Sequence, residues 1–481
     1  MSELGDKIRS VFGNTSVYKD PNNKSLFSGR NLPSFVKDYL ISSYTDKDGN
    51  LQKEDLLKFL DLHIPANNNA VKSRLMQGEI LNLLTRFIVT TNIRKDIVQF
   101  KIPDMGIKEN DTKISRHLIE KYPDELIEGE HWGILQLVYR SPMDERSNDG
   151  YIEMSGFKPF NPWGERIDLS VYKEYRGKFT IDEWIDVLLS AMEYTPEAFK
   201  SKNQKLEFLT RLLPFIEPRL NMIELAPKGT GKSYVFSNLS KYAWLVSGGQ
   251  VTRAQLFYNR SRGLTGYMAF YDLVSFDEIS TISFSNDTEM QAILKSYLED
   301  GKTTVDNYEF ISECGLMLLG NIQISEDGYP LGDNYFEYLP NVFKESALLD
   351  RFHGFIEGWL LPRVNTGMAL HDWTINVEFF SEIMHQLRTD GTYVNIVNQL
   401  LDYPTDSDMR HIKAVKRMTT AYLKLLFPNV QQKEDIDIDD FNLYCLQPAI
   451  RRRDIIRQQC SNIDRERTFA KPLPEIKVRR Y

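Results

Sequence analysis

Apolar residues recur at intervals of three and four through roughly the first 120 positions, most clearly over Glu54–Leu62 and Lys72–Thr90. This spacing lays one apolar stripe along a helix. It predicts a mostly helical N-terminal domain over residues 1–125. From about 130 the texture changes to short alternating runs such as Gly133–Tyr139, divided by Pro142, Pro159 and Pro162, which read as strands and turns. A helical stretch, Ile181–Arg211, follows, so residues 126–199 are expected to form a β-rich module with a helical linker. Apolar runs of strand length then alternate with helical segments over 200–365, as in an α/β domain. Beyond it, Asp372–Arg388 and Asp408–Leu426 have amphipathic helical spacing within a final helical region, 366–481.

With 481 residues and 42% hydrophobic content, the chain exceeds what one core organises, and two to four domains are expected. The net charge of −8 excludes a uniformly basic nucleic-acid coat. Contact with a polyanion must therefore come from local surfaces. One candidate is the stretch from Arg451 to Arg480, with ten Lys or Arg against four Asp or Glu, although a solvated helix face with a disordered end explains it equally well. Cys314, Cys445 and Cys460 are far apart and form no paired motif, which argues for a reducing setting. No signal peptide and no run of ~20 apolar residues is present, so a cytoplasmic protein without membrane insertion is expected.

Candidate chemistry begins at Ala226-Pro-Lys-Gly-Thr-Gly-Lys-Ser233. A phosphate-cradling loop needs glycines that let successive backbone N–H groups turn inward, a Lys for the β and γ phosphates, and a hydroxyl for Mg2+. Lys228, Gly229, Thr230, Gly231, Lys232, Ser233 and Tyr234 make up this segment, between an apolar run, Asn221–Ala226, and a helical one. ATP and Mg2+ are the implied ligands, with Ser233 and Asp277 on the metal. Phe270–Glu278 is an apolar strand ending in two acids, of which Glu278 would orient or deprotonate an attacking water. A second apolar strand, Gly315–Gly320, ends in Asn321, and Ala347-Leu-Leu-Asp-Arg351-Phe follows. Taken alone, Asn321 could be a turn residue and Arg351 a surface ion-pair partner.

The order of these parts resembles that in AAA+ ATPases, over about residues 220–430. The resemblance implies an α/β P-loop core with a helical lid, preceded here by the helical and the small β-rich domains. It makes Asn321 a sensor and Arg351 an arginine finger that reaches the nucleotide of a neighbouring subunit, and hence implies a homo-oligomeric ring, a hexamer or stacked rings. Arg410, in Asp408-Met-Arg410-His-Ile-Lys, is the best match to the second sensor of the lid, a plain amphipathic-helix Arg being the other possibility. Two further segments, Tyr258–Gly263 with Arg260 and Arg262, and Glu299–Val305 with Lys302, resemble in position the pore loops of the MCM helicase branch and its Lon relatives, and their charge suits a phosphate backbone, surface loops charged for solubility being the other possibility.

The whole chain, through Gly5–Phe12, Leu26–Pro33, Phe157–Pro162 and Ala226–Ser233, is similar to the Lon-like AAA+ proteins of bacterial phage-exclusion (BREX) systems. That resemblance implies a ring-forming ATPase that binds duplex DNA through its N-terminal domain, residues 1–125, and its core, alongside other BREX components, in defence against phage. A Lon-like protein unfoldase and a nucleotide-gated DNA clamp are the alternatives. Such proteins commonly continue into a protease-like domain. Here the chain reaches only Tyr481, and proteolysis is not expected of it.

Overall fold

The computed structural model describes residues 2–30, 32–46, 50–66, 70–92, 97–126, 129–142, 150–160, 167–260, 263–464 and 471–479. They form two compact units, residues 22–32 with 36–166, and residues 1–21 with 33–35 and 167–481. The first helix of the chain, α1 (Glu3–Phe12), belongs to the second of these.

In the first unit, helices α2 (Lys53–His63) and α3 (Ala70–Met76) precede a five-stranded sheet. Its strands are β1 (Leu81–Asn92), β2 (Ile97–Lys101), β3 (Thr112–Ile114), β4 (Gly129–Arg140) and β5 (Tyr151–Pro159), in the spatial order β2-β1-β4-β5-β3. The segment 72–90, expected to be helical, divides after α3, and β1 occupies its second half. Leu83-Leu84 and Phe87-Ile88 satisfy helical spacing, but Leu81, Leu83, Phe87 and Val89 also alternate, and all four are buried. A paired partner decides between the two periods: β1 runs antiparallel to β4 in unbroken register from Leu81↔Leu137 to Val89↔Gly129. The N-terminal region is thus mixed rather than mostly helical, and the expected boundary at 125/126 falls inside one sheet.

The second unit, after helices α4 (Leu169–Arg176) and α5 (Ile181–Ala191), is built on five parallel strands, β6 (Met222–Ala226), β7 (Ala243–Val251), β8 (Leu273–Phe284), β11 (Gly315–Asn321) and β12 (Gly354–Glu357). A hairpin of β9 (Lys302–Val305) and β10 (Tyr308–Ile311) stands apart from them. The spatial order is β12-β6-β11-β8-β7. All five residues of β6 are buried, which explains its apolar sequence on either side of Glu224, since a central parallel strand is covered on both faces. Ile223, Leu225, Leu316, Leu318 and Phe355 are fully buried there, and each such side chain contributes roughly 1.5–3 kcal/mol relative to exposure. The chain leaves β6 through the loop to α6 (Lys232–Asn238), while α7 (Asp287–Asp300) leads from β8 towards the hairpin.

Helices α8 (Val377–Arg388), α9 (Thr392–Leu400), α10 (Met409–Leu426) and α11 (Gln447–Ile463) make the helical lid. Part of the basic C-terminal stretch is internal. Arg452 forks onto Glu207 (2.8 and 2.9 Å), and Arg453 donates to His411 Nδ1 (3.0 Å) and to the carbonyls of Asp350 and Phe352. Both arginines are buried, so they tie the lid to the core instead of presenting charge to a ligand.

Candidate nucleotide site

Three neighbouring parallel strands bring their polar residues to one edge of the sheet. Asn321, the last residue of β11, is in register with Ala226, the last residue of β6, and β8 delivers Asp277 and Glu278 next to them. Over this edge the loop 227–231 turns with Gly229 at φ +83° and Gly231 at φ +76°, values that only glycine adopts without cost. Among the described residues, none of the backbone N–H groups from Gly229 to Ser233 donates to an acceptor within the chain. Such a run of free donors at a helix N-terminus is an anion cradle. A β-carbon on Gly229 would meet nothing within 4 Å, so this side of the loop is open to a ligand.

Lys232 is buried, and its Nζ donates to Asn321 Oδ1 at 2.8 Å. Burial pushes its pKa down, against the opposing pull of Glu224 and Asp277. Asp277 is buried and its Oδ1 accepts the Glu278 N–H (2.9 Å). Glu278 itself is exposed with φ +48°, a left-handed conformation that costs a non-glycine residue about 1–2 kcal/mol. The pairing of β8 with β7 shifts register between Asp277 and Ile282, so the strand bulges where this exposed carboxylate stands. Ser233 is half-buried, while Lys228 and Tyr234 are exposed.

These groups fit a nucleoside triphosphate and a divalent cation. The cradle supplies donors, Lys232 a cation, and Ser233 and Asp277 hard oxygen ligands. Among the described residues no group of three or more His, Cys, Asp or Glu is placed to hold a metal ion. A cation held here would rely on these two oxygens and the phosphates, as Mg2+ commonly does.

Arg351 lies elsewhere. It precedes β12, whose first residue, Gly354, is in register with Met222 at the start of β6. The loop leaves the other end of β6, at Ala226, four residues on, about 13 Å away at ~3.3 Å per residue. Arg410 is beside Arg351, not beside the loop of its own chain: it donates to Asp350 (2.8 Å) and Glu299 (3.1 Å), and Arg351 also pairs with Glu299 (3.1 Å). A cavity of about 210 Å3 opens there, lined by these residues together with Lys413 and Arg417.

Arg260 is exposed at the turn between two short strands, Tyr258–Asn259 and Leu264–Thr265, and Arg262 lies outside the described residues. Lys302 is exposed at the base of the β9–β10 hairpin and not at its tip, where Asp306 pairs with Arg253 (2.6 Å). The two hairpins meet through Tyr258 and Tyr308, stacked with ring centroids 4.2 Å apart.

Sequence reasoning missed the supports of the loop. Arg211, fully buried, binds Glu224 in β6 (2.5 and 3.0 Å) and donates to the Thr230 carbonyl (2.9 Å). Glu193, at φ +71°, takes Lys19 (2.5 Å) and Ser34 (3.0 Å) and also accepts from the Tyr234 hydroxyl. Val364 N–H binds the Gly229 carbonyl (2.8 Å). The one signal available was a charged residue, Glu224, inside an otherwise apolar strand, since a buried charge requires a partner.

A parallel five-stranded sheet with its phosphate loop, acidic strand end and helical lid defines an AAA+-type P-loop ATPase domain. Residues 152–472 match the family described as Lon-like protease BrxL-like, ATPase domain, and residues 10–139 match the BREX system Lon protease-like protein BrxL N-terminal domain. The chain belongs to the BrxL family. It is 27% identical over 445 residues to a Lon-like protease BrxL of Bacillus cereus (strain H3081.97), covering 91% of this chain and 64% of that protein. To the Lon-like protease BrxL of Escherichia coli O9:H4 (strain HS) it is 27% identical over 468 residues, covering 96% and 65%. The chain therefore spans about two thirds of the length of these relatives. Among the described residues no helix is long and apolar enough to cross a membrane.

Proposed function

We propose that this chain hydrolyses ATP as a subunit of a ring, a hexamer or stacked rings, that engages duplex DNA in a BREX anti-phage system. The observation that carries the reading is the placement of Arg351 and Arg410 at the edge of the sheet opposite their own phosphate loop. A cationic finger at the end of β6 opposite the loop, with about 13 Å of strand between the two ends, serves catalysis by facing a neighbour. In that composite site Lys232 and the free N–H groups of Gly229–Ser233 bind and orient the phosphates, and Asn321 holds the Lys232 ammonium in place. Mg2+, when bound through Ser233 and Asp277, would neutralise developing phosphate charge. Glu278, turned out of the strand, accepts the proton of the attacking water. The neighbour's Arg351 supplies positive charge where the transition state gains negative charge.

Complex size and ATPase rate, measured alone, with duplex DNA and with an unfolded protein, test this reading. Ring-sized particles whose turnover rises with DNA are expected. Stimulation by unfolded protein and not by DNA would favour the unfoldase function, and DNA binding that needs ATP but not turnover would favour a clamp.

A further inference from the structure

The fully buried Arg211–Glu224 pair lies directly beneath the phosphate loop, yet neither residue can touch a phosphate, since both side chains have no exposure. Its position suggests a different task. Arg211 spends one Nη on Glu224 and the other on the Thr230 carbonyl oxygen, 2.9 Å away, with a longer contact to the Thr230 hydroxyl (3.4 Å). The peptide bonds among the described residues are trans, and across a trans peptide the C=O and the following N–H point in opposite directions. Pinning the Thr230 carbonyl down onto Arg211 therefore turns the Gly231 N–H up, out of the core and into the mouth of the loop. That N–H has no acceptor within the chain among the described residues. Gly231, at φ +76°, lacks the side chain that would otherwise oppose a flip of this peptide.

Glu224 completes the device. It holds the guanidinium fork in one plane (2.5 and 3.0 Å) and neutralises it, so the loop is supported without a bare charge in the core. We infer that Arg211 is a positioning residue for phosphate binding, acting through the Thr230–Gly231 peptide, with Glu224 as its orienting partner. The inference rests on the nucleotide reading of the loop. It adds that the affinity of the site for the phosphate chain depends on a charged pair that never meets the nucleotide.

The test separates this role from a merely structural one. Arg211→Ala alone would strand the Glu224 charge and risks unfolding the protein. The informative variant is therefore Arg211→Met combined with Glu224→Leu, which replaces the pair by apolar groups. Arg211→Lys, which keeps a charge but loses the fork, serves as the second. Melting temperature establishes folding, and binding of fluorescent mant-ATP, mant-ADP and mant-AMP is then titrated. Both variants are expected to melt as cooperatively as the wild type and to lose on the order of 10- to 100-fold in affinity for mant-ATP and mant-ADP, as removing one to two hydrogen bonds to charged groups does. Affinity for mant-AMP, which lacks the outer phosphates, should change by less than about threefold. Equal affinities for mant-ATP in the folded double variant and the wild type would overturn the inference, and so would parallel losses for all three nucleotides. A wild-type chain that binds no mant-ATP would instead overturn the nucleotide reading, and the inference with it.

Discussion

Arg351 and Arg410 share one carboxylate: Glu299 Oε2 lies 3.1 Å from Arg351 Nε and 3.1 Å from Arg410 Nη2. Asp350 anchors Arg410 from the other side (2.8 Å). The burial of Arg410 would lower its pKa, but the Asp350 hydrogen bond and the nearby acids raise it. Residues separated by some sixty positions thus form a single charged cluster, and its place at the end of β6 opposite the loop of its own chain dictates how it must be tested.

Arg351→Ala is expected to leave assembly intact and to lower ATP turnover by at least about a hundredfold, in keeping with the contribution of arginine fingers. Glu278→Gln should bind ATP and be equally slow. Mixed rings separate the two defects. Where a Glu278→Gln subunit offers its Arg351 to an Arg351→Ala subunit with an intact loop, turnover should return to a measurable fraction of the wild-type rate. If mixtures over a range of ratios stay as inactive as the parents, Arg351 does not act between subunits.

Stability should fall on acidification through two buried histidines. Burial first, and then the Arg453 charge, push His411 down to about 4, and its Nδ1 must stay unprotonated to accept the Arg453 guanidinium. His353 shifts the same way, through burial and Arg417. The unfolded chain takes up these protons near pH 6.5 and the folded chain only lower, so the stabilisation is complete above 6.5 and is lost as pH falls towards 4. For His411 this window corresponds to about 3 kcal/mol at ~1.4 kcal/mol per pH unit. Melting temperatures from pH 7.5 to 4.5 should fall less steeply in His411→Asn than in the wild type. Identical slopes would show that His411 does not titrate in this way.

The hairpin cations give a smaller, salt-dependent effect. Arg260→Ala and Lys302→Ala should each weaken duplex DNA binding and reduce the slope of log affinity against log salt by about 1, the signature of one lost phosphate contact. Unchanged slopes in both variants, measured by fluorescence anisotropy between 50 and 200 mM salt as suits such titrations, would place the DNA-contacting surface elsewhere. The lean charge of the β9–β10 tip, where Asp306 is paired with Arg253, is the reason the expected effect is modest.

What the sequence by itself determined is local. The loop Gly229–Ser233, the acidic strand end Asp277-Glu278 and the strand ending in Asn321 were legible because each joins a short apolar run to its functional residue without leaving that run, and β6, β8 and β11 are the runs observed. The helical lid was legible for the same reason, from the spacing within α8 and α10. The tertiary structure decided whatever depended on partners distant in sequence. It turned Leu81–Asn92 into a strand, because β4 satisfies its backbone and its inward face. It took Arg452 and Arg453 out of an apparently basic surface, because Glu207 and the Asp350 segment neutralise them inside. It set Arg410 on Asp350 beside Arg351, and Arg211 beneath Thr230, pairings separated by 60 and 19 residues. A periodic pattern records which face of an element is buried. It does not record what that face meets, and for a charged side chain its partner determines whether the charge supports the fold, positions a loop or waits for a phosphate.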